Sequence, residues 1–107
     1  MNQPMNPIEN QEQLTAHRTQ IDAIDREIIA LLAKRTGIVK QIMVLKTDEE
    51  QIRSCDRVQQ VLDKVGRLAE ENGLERTIAV PIYETIIKVL TDMQLAHLHA
   101  RELEPKA

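Results

Sequence analysis

The stretch IIALLAKRTGIVKQIMVLK, residues 28–46, reads as an apolar helix that nevertheless carries strong bases, two of them on the side that should face a core. Leu14, Ile21, Ile28 and Ile42 recur in steps of seven, and Arg35 fills the missing rung of that ladder. Ile24, Leu31, Leu32, Ile38, Val39 and Leu45 fill out the same side, the spacing of an amphipathic helix. Lys46 follows Arg35 by eleven residues. At ~100° and ~1.5 Å per residue, it returns to within about 20° of the same face, about 16 Å further along the axis. Burying two cations without counter-charge is costly. This face therefore calls for acidic side chains or for a small anion held in a slot between the two bases. The plainer alternative is that both bury their stems and keep their heads in water, or pair with Asp25, Asp48 or Glu49.

Outward from this stretch, the helical pattern extends from about Gln11 to Lys46, with Gly37 a modest cost inside it. Such a helix is about 50 Å long at ~1.5 Å per residue, too long for a small compact domain without a partner to cover it. TDEEQIR, residues 47–53, is a polar, acidic break. Ser54 is placed to cap a second helix, with Asp56 in its first turn and an apolar face of Val58, Val61, Leu62, Val65, Leu68 and Ala69. Asn72-Gly73 ends it. A third helix is expected from near Thr77 to about Arg101, with Pro81 in or near its first turn and a stripe of Ile82, Ile86, Ile87, Leu90 and Met93. Residues 1–10, with Pro4 and Pro7, are expected to form a flexible lead-in, residues 11–101 the helical domain and residues 102–107 a tail. The expected fold class is all-α: three helices, the first very long.

Composition narrows the function. Tyr83 is the only aromatic residue, which favours a core shared between subunits over a compact monomer. A net charge of −3, with no basic face and no aromatic stacking groups, argues against a nucleic-acid partner. Cys55 stands alone, so no internal disulfide or cysteine-rich metal site can form. The opening MNQPMNPIEN lacks the charge and apolar run of a signal peptide, and no stretch is long enough to span a bilayer. The expected setting is the cytoplasm, without a membrane partner. His97 and His99 are two apart on a helix, diverge, and read as surface residues rather than a metal pair.

No serine–histidine–acid set and no glycine-rich phosphate loop is present. What remains is cations and one amide. Gln94 shares its stripe with Ile87 and Leu90, where a buried amide must find partners. Its plain reading is a core amide that fixes helix register; its chemical reading is a donor to an ether or hydroxyl oxygen. Arg18 lies seventeen residues before Arg35. That is about 25 Å at ~1.5 Å per residue, so it reaches the same slot only if two long helices pair antiparallel in a dimer. Such a set suits a reaction that needs only shape and electrostatics.

HRTQIDAIDREIIALLAKR at 17–35, Lys46, DRV at 56–58 and IYETIIKVLTDMQ at 82–94 together resemble the all-helical chorismate mutase family, over about Leu14 to Ala100. The resemblance implies an intertwined homodimer of three-helix chains with two active sites and no cofactor or metal. It implies that Arg18 enters the other subunit's site and, with Arg35, grips the carboxylates of a dicarboxylate substrate. Lys46 and Gln94 would hydrogen-bond the ether oxygen as its bond breaks, and Arg57 corresponds to an arginine that orients other groups from the start of helix two. The implied reaction is chorismate to prephenate.

Three departures bear on specificity. Val58 stands where the family has a glutamate for the ring hydroxyl, Leu90 where a small polar residue is usual, and the loop after Lys46 is one residue shorter, with Ser54 in place of an aspartate. AEENGLE at 69–75 is similar to the isochorismate pyruvate lyase branch, which expels pyruvate and forms salicylate. A third branch acts on 4-amino-4-deoxychorismate. All three substrates stay open at this point. An alternative of another class is a helical dimerisation module, but such a module would place its bases beside the ladder, not within it as Arg35 is.

Overall fold

The computed structural model describes residues 6–103. The regular structure among them is entirely helical: α1 (Pro7–Met43), α2 (Glu49–Arg53), α3 (Cys55–Glu71) and α4 (Arg76–Glu102). The all-α class holds. Residues 1–5 of the expected lead-in and 104–107 of the expected tail lie outside the described residues.

The first helix begins within the stretch expected to be a lead-in, and the reason is local. Asn6 Oδ1 accepts from the backbone N–H of Glu9 at 2.9 Å, which is an N-cap bond. Pro7 then occupies the first helical position, where its missing N–H costs nothing and its fixed φ fits. The Asn-Pro pair is thus a start signal. At the other end α1 stops at Met43, and residues 44–48 form the turn that carries Lys46.

Two compact units divide between Gly37 and Ile38. The first is helix α1 up to Gly37, and its apolar ladder is exposed: Leu14 is 40% exposed, Ile21 54% and Ile28 53%.

The second unit packs upon itself. α3 and α4 lie against each other as an antiparallel hairpin across the short connection 72–75. Gly73 takes φ +69°, the left-handed conformation a helix end of this kind requires. Val65 and Ala69 of α3 meet Ala79 of α4, with Val61 and Tyr83 against them. Small residues at 69 and 79 let the two helices approach closely where the hairpin turns. Arg76, the first residue of α4, lies over Gly66, where an added Cβ would come within 2.6 Å of its guanidinium. The same guanidinium pairs with Glu70 at 2.5 Å. That hydrogen bond and charge hold the Glu70 carboxyl below its usual range and push Arg76 up.

The segment expected to be an acidic break instead contains α2. Asp48 caps it, its Oδ1 accepting from Gln51 N at 2.8 Å, while Gln51 Oε1 accepts from Thr47 N at 2.7 Å. This reciprocal arrangement, with Glu49 and Glu50 in the first turn, favours a helix even over five residues. Ile52 on its inner side joins Leu95 and Leu98 of α4 in a second apolar cluster. Ser54 holds the expected cap position of α3, but its side chain makes no cap bond. It is the single residue between two helices, and φ 34°, ψ 64° is what that sharp change of direction demands. Pro81 lies in the second turn of α4, next to the first turn as expected, and faces solvent.

Candidate active site

Lys46 sits in the turn after α1 and Gln94 two-thirds of the way along α4, yet the Lys46 ammonium donates to Gln94 Oε1 at 3.1 Å. Gln94 is only 5% exposed and is the one buried polar residue of the described chain. Gln94 directly precedes Leu95, which with Leu98 is buried against Ile52 of α2, and Gln94 is buried with them. An ammonium has donors only, so it turns Oε1 toward itself and leaves the amide Nε2 as a second donor. The pair therefore presents N–H groups from a cation and from a neutral amide at one half-buried place. Such a place suits an oxygen that gains negative charge.

The backbone around Lys46 is tied down as well. Its N–H bonds the Met43 carbonyl at 3.2 Å, and its own carbonyl accepts from Arg101 Nη2 at 2.7 Å. Next along, Glu49 meets His99 at 3.0 Å between Oε1 and Nε2. These contacts were not anticipated from sequence, although Arg101 lies seven residues beyond Gln94, and that interval returns a helix to nearly the same face. The acidic run at 48–50 is not an unstructured break: Asp48 is a cap and Glu49 a hydrogen-bond partner of His99.

The other predicted site residues are carried by α1 and α3. Arg18 is exposed on α1 in the first unit. Arg35, in the same unit, is half-buried. Arg57 is exposed in the first turn of α3. Val58 and Leu90, at the positions where the resemblance leads one to expect polar groups, are both half-buried. Among the described residues no group of three or more histidine, cysteine or acidic side chains could hold a metal ion, and no helix is long and apolar enough to cross a membrane.

Helical class and donor pair together define a small all-α protein whose candidate site acts through hydrogen bonds and charge. Residues 17–95 match the family described as Chorismate mutase type II. The chain belongs to that family. It is 25% identical over 96 residues to the chorismate mutase of Methanocaldococcus jannaschii, covering 89% of this chain and 97% of that protein. It is also 36% identical over 70 residues to the isochorismate pyruvate lyase of Pseudomonas aeruginosa, covering 65% of this chain and 69% of that one. A bifunctional chorismate mutase/prephenate dehydratase of Buchnera aphidicola is 34% identical over 85 residues, and there the match takes up 22% of the longer protein. The chain thus spans most of the single-function relatives and about a fifth of the bifunctional one.

Proposed function

We propose that this chain is a chorismate mutase, converting chorismate to prephenate by a [3,3] rearrangement. The observation that carries this is the Lys46–Gln94 donor pair, a half-buried ammonium on a buried amide, within a chain of that family. In the rearrangement the C–O bond of the enol ether breaks as a C–C bond forms, and the ether oxygen gains negative charge on the way. Lys46 and Gln94 Nε2 meet that charge with hydrogen bonds that strengthen in the transition state. Each such donor is worth on the order of 3 kcal/mol of barrier. The reaction needs no proton transfer and no covalent intermediate, so the remaining task is to hold a flexible dicarboxylate in its reactive conformer. Arg18 and Arg35 are assigned to the carboxylates and Arg57 to orientation of the site.

In this reading the working form is a homodimer, and Arg18 acts in the partner's site. Support comes from α1: an apolar ladder left half exposed along many turns is unusual for a monomer and typical of a surface that another chain covers. No large side chain among the described residues is fully buried, as expected if much of the core is supplied by assembly.

A second reading, isochorismate pyruvate lyase, is favoured by Val58 and Leu90. Two half-buried aliphatic side chains offer a ring hydroxyl no hydrogen bond, so recognition of the ring substituent differs from the usual mutase pattern.

The test is a side-by-side assay with chorismate and isochorismate. Prephenate from the first, with little salicylate from the second, upholds the mutase. Salicylate and pyruvate at much higher efficiency from isochorismate establish the lyase, and inactivity with both directs attention to the amino analogue. Lys46→Ala should abolish turnover while leaving the fold intact; near wild-type activity in that variant sinks the assignment of the site under either reading.

A further inference from the structure

A lysine ammonium can stabilise charge only where it is held, and its four-carbon stem makes it one of the hardest groups to hold. Side-chain packing does little of this for Lys46. Its predecessor Leu45 is 76% exposed and Val44 also faces solvent. Buried anchors flank the turn at Met43 and Ile52, leaving the lysine itself between them. What fixes it is polar. Gln94 holds the ammonium, and Arg101, seven residues along the same helix, holds the backbone carbonyl at 2.7 Å. One face of α4 thus grips Lys46 at both ends.

Arg101 is well suited to the task. It lies in the last turn of α4, where the helix dipole favours a cation. It is half-buried, and its bond to the carbonyl is charge-assisted. The Glu49–His99 pair ties the next part of the same segment to the same end of α4.

We propose that Arg101 is a positioning residue: by anchoring the Lys46 carbonyl, it sets where the ammonium meets the substrate's ether oxygen. This rests on the role assigned to Lys46 above. Misplacing a reacting group by about 1 Å costs up to about a hundredfold in rate. Arg101→Ala should therefore lower kcat by about tenfold to a hundredfold on whichever substrate the wild type turns over, with KM changing by less than about threefold.

Two further readouts separate positioning from mere stability. Arg101→Lys keeps a cationic donor and should restore most of kcat. Amide hydrogen exchange over residues 44–50 should quicken in Arg101→Ala but not in Arg101→Lys, while the α3–α4 hairpin stays as protected as in the wild type. Wild-type kcat in Arg101→Ala overturns the proposal, as does unchanged exchange in residues 44–50, or a lysine variant as impaired as the alanine one. If the wild type acts on neither substrate, or Lys46→Ala remains active, the functional reading fails instead. The exchange comparison then still decides whether Arg101 anchors the turn.

Discussion

The first part of α1 and the second half of α4 carry the same kind of sequence signal, an apolar stripe at helical spacing interrupted by one polar residue, and they meet opposite fates. On α4, Leu95 and Leu98 are buried against Ile52, and the interrupting residue, Gln94, is buried with them. On α1, Leu14, Ile21 and Ile28 stay exposed beneath the interrupting Arg35. Periodicity says that a face is to be covered; it does not say by what. For α4 the cover comes a short way up the chain, because α2 caps itself and lays Ile52 across it. For α1 the proposed cover is a second copy.

The comparison can be broken most forcefully on α1. Ile28→Asp should leave the α3–α4 hairpin folded but put a charge into the proposed dimer seam of each protomer. An unpaired buried charge costs about 3–5 kcal/mol. Sedimentation should show monomers and turnover should be lost, whereas an active dimer would remove the case for a shared α1 face. On α4 the effect is local instead. Leu98 is 3% exposed, and Leu98→Ala should cost about 2–5 kcal/mol in urea unfolding without changing the state of association.

Smaller changes sharpen the contrast between regions that are strained and regions that are merely held. Ser54 adopts a left-handed backbone without glycine's freedom, so Ser54→Gly should stabilise the chain by about 1 kcal/mol, measured as a rise in the urea midpoint. A fall would mean that the Ser54 side chain holds the α2–α3 corner.

The smallest effect is expected at the hairpin's exposed ion pair. Because Arg76 holds the folded-state pKa of Glu70 low, the pair's contribution is present above the unfolded-state carboxylate pKa and is lost as pH falls through the folded one. The stability difference between wild type and Glu70→Gln should therefore begin to shrink as pH falls past the ordinary carboxylate pKa of about 4.3 and vanish only below the lowered folded-state value. Gly66→Ala, by displacing the Arg76 guanidinium, should raise the Glu70 pKa toward its ordinary value in an NMR titration.

Much of the second unit was legible in the sequence. The Asn72-Gly73 stop, the start of α3 after Ser54 and the span of α4 follow from caps and from 3.6-residue periodicity, which act within a few residues of one another. Gln94 was legible as an amide out of place on an apolar stripe. α2 is not legible because three acids in a row read as a polar break, while the feature that makes them a helix is the Asp48–Gln51–Thr47 exchange of hydrogen bonds. The early start of α1, by contrast, rests on a local signal, the Asn6 cap followed by Pro7, which a polar stretch with two prolines hides.

The helical class, the end of α3 and the polar residues that break otherwise apolar faces are written in the chain itself, because they depend on short-range sterics, capping and spacing. That Lys46 and Gln94, 48 residues apart, share a hydrogen bond, and that Arg101 closes on the lysine's backbone, emerges only from the folded chain. Those contacts depend on how α2 turns the chain back across α4, a geometry set by the burial of Ile52 against Leu95 and Leu98, which no local pattern encodes.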